Sequence, residues 1–494
     1  MRSCGTLLHI TSLPSNYGIG TLGKAAYDFI DFLRKSGQTY WQILPIGPTS
    51  FGDSPYQSFS AFAGNPLFID VDLLINDGIL AVSDLESIKI ICNKKLINYG
   101  NLFDVKYDLL RRAFVKFVQK NDVTDYNNFV EKNKFWLEDY ALFMAIKYHF
   151  HQLSWLHWPD DIRLKKPAAV AHFSQMLASQ IEFWKFIQFE FFGQWKKLRN
   201  YASQNGVKIF GDIPIYVSMD SADIWANSSL FQLDTTKRPQ RVSGCPPDSF
   251  SANGQLWGNP LYDWKTMRFC GYNWWIERIR FATSLFDLVR IDHFRAFDSY
   301  YSISITDKTA ENGTWHKGPG IDFFEAVKNA LGKVNFVAEE LGITSESVRE
   351  LLATSDFPGM NMLEFAYDKE YNGRYMPYNY TKKSVAYIGT HDNDTAIGYL
   401  HNLDRQTFGE VKKYLSLSRF EGYSWGMIRE LFASPSELAI VQMQDFLCLN
   451  SSARMNIPST IGGNWVWRMK ETDLSDKLAK KIHNLVQTYF RQKA

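Results

Sequence analysis

The chain has 494 residues, of which 45% are hydrophobic and 21% are charged, a composition that excludes the disordered and fibrous classes. Its 54 basic and 52 acidic residues give a net charge of +2. Neither a nucleic acid nor an anionic membrane surface is therefore predicted as the partner, and a neutral ligand fits better.

Eight short apolar runs, most of them separated by segments with helical periodicity, predict buried β-strands. Alternation of strands with helices predicts a (β/α)8 TIM barrel. A doubly wound open sheet is the alternative, because periodicity alone does not distinguish the two. In chain order the runs are residues 7–10, 41–44, 207–210, 286–291, 334–338, 362–365, 385–388 and 438–441.

The second and third predicted strands are far apart in sequence, and the stretch between them has a mostly helical pattern. The clearest helical segments are residues 107–118, 136–147 and 181–195. No internal repeat or low-complexity linker marks a second domain. We therefore predict one catalytic barrel domain over residues 1–494, with a helical subdomain inserted over residues 70–205.

The N-terminal segment has too short an apolar run for a secretory signal, and no later stretch reaches 18 apolar residues. We expect a cytoplasmic protein without a membrane span. The five cysteines are scattered and show no CxxC spacing, so we expect free thiols, with neither a disulfide framework nor a zinc site.

Four predicted strands end in a carboxylate: Asp212, Asp292, Glu339 and Asp392. In a barrel these ends meet at one face, so four acids that are distant in sequence would lie in one cleft. For any one of them alone, a solvated loop position is the simpler interpretation. Their convergence is what indicates a function.

Paired carboxylates are the groups that cleave a glycosidic bond with retention. One attacks the anomeric carbon and the other protonates the leaving oxygen, with the two carboxyl groups about 5–5.5 Å apart. Arg290 has the strand periodicity to lie on the same side as Asp292 and to keep it ionised. His293 and His391 flank two of the aspartates as hydroxyl-binding candidates, and aromatic residues, 16% of the chain, offer flat faces for sugar rings.

Three ordered motifs, at residues 289–295, 338–342 and 389–395, resemble those of the α-amylase clan. In detail the chain resembles the amylomaltase, or 4-α-glucanotransferase, family (glycoside hydrolase family 77). The resemblance covers nearly the whole chain. Its supporting segments are residues 8–14, 54–66, 211–217, 246–248, 254–260 and 453–456.

The resemblance implies roles for individual residues. Asp292 would be the nucleophile, Glu339 the general acid/base, and Asp392 the carboxylate that stabilises the transition state. Residues 244–257 look like the family's active-site loop, with prolines that restrict its backbone. The substrate-binding residues would be Tyr56, Asp212, Asp248, Phe250, Trp257, Arg290, His293 and His391.

Three positions depart from the family's usual pattern. The family commonly has an aromatic residue where this chain has Ser249, an Asp where it has Glu340, and a Gly where it has Ser459. Loss of the ring at Ser249 would weaken acceptor binding, and the extra methylene of Glu340 could shift a substrate contact. None of the three changes a proposed catalytic carboxylate.

The implied substrates are α-1,4-glucans, such as maltooligosaccharides or fragments of starch or glycogen, with no cofactor, metal, nucleic acid or membrane partner. An α-1,4-glucan hydrolase is the nearest alternative, because it uses the same carboxylates. The 38 residues after position 456 leave no room for the β-sandwich that usually follows an amylase barrel, which favours the transferase. A catalytically inactive glucan-binding protein is a further alternative.

Two other motifs point elsewhere but lack their context. Gly18, Gly20 and Gly23 form a GxGxxG pattern, yet no strand precedes it directly and no acid ends the next predicted strand, so a dinucleotide site is not predicted. His149 and His151 have no metal-ligand partners at suitable spacing.

Overall fold

The computed structural model describes residues 2–85, 96–247, 251–342 and 345–492. Its strands are, in chain order, β1 (Ser3–Leu7), β2 (Tyr40–Gln42), β3 (Lys208–Ile213), β4 (Arg241–Cys245), β5 (Gln255–Pro260), β6 (Leu288–Ile291), β7 (Ser299–Ser304), β8 (Thr314–Lys317), β9 (Phe336–Ala338), β10 (Gly359–Met362), β11 (Ser384–Tyr387) and β12 (Leu438–Gln442).

Eight of these strands form a parallel barrel in the order β10-β11-β12-β1-β2-β3-β6-β9. The amide of Ala338 donates to the carbonyl of Pro358, just before β10, at 2.9 Å, which brings the two ends of the sheet together. The predicted TIM barrel is confirmed. Strands covered on both faces are mostly apolar, and β12 is an example: all its residues are buried, and only Gln442 at its end is polar.

All eight predicted barrel strands are present, but two lie a few residues earlier than predicted. The apolar run at residues 7–10 follows β1, and the run at 362–365 follows β10, in each case overlapping only the strand's last residue. Ile10 and Leu363 are buried in short 3₁₀ helices, Ile10–Ser12 and Leu363–Tyr367. At these two places the apolar run therefore indicates buried residues but does not coincide with the strand.

Helices connect the barrel strands, and between β10 and β11 these are short 3₁₀ helices. The helices are α1 (Lys24–Lys35), α2 (Val71–Asn76), α3 (Tyr99–Phe117), α4 (Thr124–His149), α5 (Asp160–Arg163), α6 (Pro167–Met176), α7 (Ala178–Gln204), α8 (Ala222–Ala226), α9 (Trp264–Phe269), α10 (Asn273–Leu285), α11 (Ile321–Leu331), α12 (Glu346–Ser355), α13 (Ala396–Asn402), α14 (Arg405–Tyr414), α15 (Tyr423–Ala433), α16 (Met443–Phe446) and α17 (Asp476–Thr488).

Helices α2 to α7 occupy the connection between β2 and β3, where the sequence predicts the helical insertion. Aromatic residues hold them together: the rings of Tyr107 on α3 and Trp184 on α7 are 5.6 Å apart, and those of Trp136 on α4 and Phe192 on α7 are 6.0 Å apart. Helix α7 also packs on α1 and β3. The division into a barrel domain and an inserted subdomain stays a prediction.

A second, antiparallel sheet with the order β5-β4-β7-β8 was not predicted. Two of its strands, β4 and β5, lie at the ends of the segment predicted as a loop over residues 244–257. Strand β8 is exposed at every position and carries no apolar signal, which explains why sequence patterns did not reveal it. The described residues contain no helix long and apolar enough to cross a membrane.

Candidate active site

Asp212, Arg290 and Asp292 form an ion-paired group at the carboxyl ends of neighbouring strands. Asp212 on β3 lies in register with Arg290 on β6, and the two side chains meet at 2.6 Å. The same guanidinium contacts Asp292 Oδ1 at 3.0 Å. Arg290 and Asp212 are buried, whereas the Asp292 side chain is 25% exposed. Asp292 is thus the carboxylate of this group that a ligand can reach.

Glu339 follows β9 and is fixed by the backbone next to Asp292. The amide of His293 donates to Glu339 Oε2 at 2.6 Å. His293 adopts a left-handed conformation (φ 50°), which turns the chain sharply after the aspartate. The carbonyl of Glu339 in turn accepts from the amide of Phe294 at 2.9 Å. Two neighbouring strand ends therefore present their carboxylates to one site.

Asp392 follows β11 and is held by hydrogen bonds. Asn456 Nδ2 donates to Asp392 Oδ1 at 2.6 Å, and His391 Nε2 lies 3.3 Å from Oδ2. Arg454 donates to the backbone carbonyl of Asp392 at 2.6 Å and to that of Asn456 at 2.7 Å. The side chain and the backbone of Asp392 are therefore both anchored to the segment after β12.

The three carboxyl groups differ in their electrostatic environment. Burial raises the pKa of Asp292, Arg290 lowers it, and Asp212, Glu339 and Asp392 raise it further. Burial also raises the pKa of Glu339, against the effects of Arg290 and the His293 amide. For Asp392, burial is outweighed by His391, Asn456 and Arg290, so its pKa lies below the usual range. The site thus combines carboxyl groups that retain protons readily with one that is firmly ionised.

Aromatic rings border the carboxylates. The Tyr56 ring stacks on His391 at 5.2 Å, and its hydroxyl donates to Asp212 Oδ2 at 2.8 Å. Trp465 lies 6.0 Å from Tyr56 and 5.8 Å from His391. These rings form a wall with both an apolar face and hydroxyl-binding groups, which is the chemistry that a sugar ring requires.

Trp257 and His293 lie on another side of the same carboxylates. Trp257, on β5, contacts His293 edge to face, with the ring centroids 4.8 Å apart. Burial and the charges of Arg295 and Arg290 lower the pKa of His293 to about 3, which keeps its imidazole neutral at physiological pH. A neutral imidazole both donates and accepts a hydrogen bond and so suits a hydroxyl ligand.

The structure thus brings together most of the residues singled out from the sequence: Tyr56, Asp212, Trp257, Arg290, Asp292, His293, Glu339, His391 and Asp392. Asp248 and Phe250, together with Ser249, lie outside the described residues. Glu340 forms an ion pair with Arg374 at 2.6 Å and lies against Gly359, so it is held by protein groups.

Sequence reasoning did not assign roles to three neighbours of the site. Arg454 and Asn456 lie in a segment that supported the family resemblance, but only the fold shows that they hold Asp392. Trp465 lies in a long connection after β12 and had no sequence signal. Among the described residues, no group of three His, Cys, Asp or Glu side chains has the arrangement to hold a metal ion.

Comparisons with known proteins agree with this geometry. The sequence profile of the 4-alpha-glucanotransferase family matches residues 8–474. A 4-alpha-glucanotransferase from Clostridium butyricum is 47% identical, covering 98% of this chain and 100% of the relative, and one from Streptococcus pneumoniae is 46% identical, covering 99% and 97%. The structure of an amylomaltase from Streptococcus agalactiae in complex with acarbose superposes with a TM-score of 0.97 at 40% identity, covering 100% of both chains. This chain therefore belongs to the 4-alpha-glucanotransferase family.

Proposed function

We propose that this protein transfers α-1,4-glucan segments from a donor to the 4-hydroxyl of an acceptor glucan or glucose. Asp292 is the nucleophile, Glu339 the general acid/base and Asp392 the carboxylate that stabilises the transition state. The observation that carries the proposal is the set of three carboxyl groups at the carboxyl ends of β6, β9 and β11, each with a different electrostatic environment. A retaining double displacement needs these three environments.

The first half-reaction transfers the donor to the enzyme. A carboxylate oxygen of Asp292 attacks the anomeric carbon, while the protonated Glu339 gives its proton to the glycosidic oxygen of the departing segment. Arg290, 3.0 Å from Asp292, favours the ionised nucleophile. Asp392, kept ionised by His391 and Asn456, stabilises the positive charge that develops on the sugar ring.

The second half-reaction releases the product. Glu339, now ionised, takes the proton of the acceptor's 4-hydroxyl, and that oxygen attacks the anomeric carbon of the glycosyl-Asp292 ester. The Asp292 carboxylate leaves, and two inversions give net retention. No proton is gained or lost over the cycle.

The remaining site residues position the sugars. Tyr56, Asp212, Arg290 and His391 line the subsite of the attacked glucose, and His293 and Trp257 face the adjoining sugar. Asp248 and Phe250 are the further residues that we propose to bind substrate. A bound 4-hydroxyl has a large effective concentration, so transfer dominates over attack by water.

Incubation with maltotriose separates this proposal from its alternatives. A transferase gives longer maltooligosaccharides together with glucose or maltose, while the concentration of reducing ends stays nearly constant. A hydrolase raises reducing ends in step with substrate loss and makes no longer products. A glucan-binding protein binds maltotriose without turnover. Either of the last two results would overturn the proposal.

Variants test the individual roles. Asp292→Asn should abolish turnover with every donor. Glu339→Gln should block transfer from maltotriose but spare the first half-reaction with α-maltosyl fluoride, because fluoride leaves without a proton. Glu346→Gln, an exposed acid on α12, is the matched control and should behave like the wild type. Equal losses with both donors would contradict the role of Glu339.

We also propose that the enzyme acts in the cytoplasm, with residues 1–494 forming one catalytic barrel and residues 70–205 an inserted helical subdomain. The packing of α7 on α1 and β3 supports the insertion within a single unit. Cell fractionation tests the location. Limited proteolysis tests the unit, because an insertion that is part of the barrel should not be released as a stable separate fragment.

A further inference from the structure

A second group of carboxyl groups lies at the ends of three consecutive barrel strands. Glu364 follows β10, Asp394 follows β11, and Asp445 is on α16 after β12. These three residues, in that order, are only 7%, 8% and 1% exposed. We call them the acidic cluster. None of them has a role in the reaction proposed above, and three buried carboxyl groups side by side need an explanation.

The members of the acidic cluster differ in their hydrogen bonds. Asp394 accepts from the Thr395 amide at 2.7 Å, from the Ser451 hydroxyl at 2.7 Å and from Asn402 at 3.2 Å. Asp445 Oδ1 accepts from the Ala396 amide at 2.7 Å.

Two oxygens of the cluster remain without a donor. Among the described residues, nothing donates to Asp445 Oδ2 or to Glu364 Oε1, although both are buried. Among the charged groups that influence Glu364, Asp445 has the largest effect, followed by Asp394 and Arg454. A buried carboxyl group that has an oxygen without a donor and acidic neighbours is stabilised by a bound proton.

The electrostatics agree with a bound proton. Burial raises the pKa of Glu364 well above its usual range, Asp445 and Asp394 raise it further, and a hydrogen bond from Asn393 together with Arg454 opposes them. Burial raises the pKa of Asp445 to about 7, against the Ala396 amide. Tyr399, which also interacts with Glu364, is a neutral phenol because burial raises its pKa.

The acidic cluster is connected to the segment that carries His391 and Asp392. Asn393, which hydrogen-bonds Glu364, accepts from the amide of Thr390 at 3.0 Å. At the other end of the segment, the Ala396 amide is bound by Asp445. A Cβ at Gly389 would lie 2.9 Å from Glu364 Oε1, so this side chain packs directly on the backbone before His391.

We propose that Glu364 carries a proton and that Glu364 and Asp445 act as positioning residues that fix residues 389–396, and thereby Asp392. The effect on catalysis rests on the role proposed for Asp392 above. Loss of the proton on Glu364 would place an unpaired charge beside Asp445 and Asp394, and the repulsion would displace the segment that holds Asp392. Glutamine at position 364 has the shape of the protonated acid and cannot lose the proton.

Infrared spectroscopy tests the proton on Glu364 without using activity. At pH 7 the difference spectrum between the wild type and Glu364→Gln should contain the carbonyl stretching band of a protonated carboxylic acid. The matched control, Glu350→Gln on the exposed side of α12, should give only carboxylate bands. Absence of the carboxylic acid band in the Glu364→Gln difference spectrum would overturn the proposal.

Kinetics with maltotriose test the positioning. Glu364→Gln should keep kcat within about twofold of the wild type at pH 6 and remain active at higher pH, whereas Glu364→Ala should lose about tenfold or more throughout. Equal kcat values for the two variants would overturn the positioning role. A Glu364→Gln pH profile of kcat that coincides with that of the wild type at alkaline pH would also overturn it. If Glu364→Ala does not fold, Glu364→Gln and the infrared band decide.

The Asp392→Asn variant distinguishes failure of the catalytic role proposed for Asp392 from failure of the role proposed for Glu364. If Asp392→Asn keeps full transfer activity, the role of Asp392 is wrong, and the infrared band still reports whether the cluster holds a proton. If Asp392→Asn is inactive and the band is missing, the catalytic assignment stands and the proton on Glu364 is disproved.

Discussion

Two groups of carboxylates lie at the same edge of one barrel and accommodate their negative charge in different ways. In the arginine-centred cluster, which comprises Asp212, Arg290 and Asp292, one guanidinium contacts both acids. Within the described part of the chain no cation contacts the acidic cluster, and we infer that it relies on backbone and hydroxyl donors and on a proton. Arg290 lowers the pKa of Asp292 and so favours the ionised form that attacks the sugar, whereas the proton proposed on Glu364 stabilises a group that does not react.

Removing Arg290 should have the largest effect, because it leaves the buried Asp212 and the partly exposed Asp292 without their counter-charge. We expect Arg290→Gln to lower the free energy of unfolding by about 3–5 kcal/mol at pH 7 and to abolish transfer. Urea denaturation and a maltotriose assay measure the two effects.

The matched change in the acidic cluster is Arg454→Gln, since Arg454 is the cation that acts on Glu364 at longer range. This substitution should lower the free energy of unfolding by less, about 1–3 kcal/mol. Most of that loss comes from the hydrogen bonds of Arg454 to the carbonyls of Asp392 and Asn456. If the two substitutions destabilised the protein equally, the contrast between the clusters would be wrong.

Asp392 lies between the two clusters and depends on hydrogen bonds. Asn456→Ala removes the 2.6 Å donor to Asp392 Oδ1, so the pKa of Asp392 should rise toward its ordinary value. We expect kcat to fall by roughly ten- to a hundredfold, because one hydrogen bond to a charged group contributes about 1.5–3 kcal/mol.

The pH profile distinguishes this effect from a general loss of structure. Asp392 acts in its ionised form, so a higher pKa moves the acid limb of the profile to higher pH. An Asn456→Ala variant with reduced activity but an unshifted acid limb would contradict the role of this hydrogen bond.

Asp445→Asn should change how stability depends on pH. The pKa of this carboxyl is about 7 in the folded protein and 3.8 in the unfolded chain, so the native state binds more protons and the wild type loses stability as pH rises between these values. Asparagine does not titrate. Between pH 5 and pH 8 the free energy of unfolding of the variant should therefore rise by about 1–3 kcal/mol relative to that of the wild type.

Guanidinium unfolding at a series of pH values measures that difference. Asp404→Asn is the control, because Asp404 caps α14 and its hydrogen bonds lower its pKa. The stability that Asp404 contributes is lost as pH falls. The free energy of unfolding of Asp404→Asn should therefore fall relative to that of the wild type as pH rises. A parallel dependence of wild type and Asp445→Asn would show that Asp445 is already ionised at pH 5.

The two clusters also show what a sequence reveals about a site. The barrel was predictable because its strands are apolar runs buried on both faces, and the exposed strand β8 was not. Carboxylates at strand ends were predicted to converge, and Asp212, Asp292, Glu339 and Asp392 do lie together. Glu364 also follows a barrel strand, and its position alone does not separate a supporting acid from a reacting one.

The distinguishing groups come from other parts of the chain. Arg290 could be identified because it lies on the same strand face as Asp292, two residues away. Asn456 and Trp465 belong to the connection after β12, where neither periodicity nor spacing predicts which strand end they approach. Contacts of this kind depend on the closed barrel, and only the structure displays them.

The smallest expected effect concerns two left-handed residues, one that follows Asn456 in the chain and one that follows Asp445. Ser459 (φ 63°) follows Asn456, the donor to Asp392, and Cys448 (φ 55°) follows Asp445 on α16. A side chain costs about 1–2 kcal/mol in this conformation, whereas glycine adopts it freely but loses about 0.5–1 kcal/mol of chain entropy on folding. Ser459 is exposed, so Ser459→Gly should raise the free energy of unfolding by about 0.5 kcal/mol without changing kcat. The thiol of Cys448 lies beside Ser424 and Trp425. In Cys448→Gly the loss of these contacts should offset the stability gained from the glycine, so the free energy of unfolding should not rise. Urea unfolding of both variants measures the difference, and a Ser459→Gly protein less stable than the wild type would show that residue 459 is unstrained in solution.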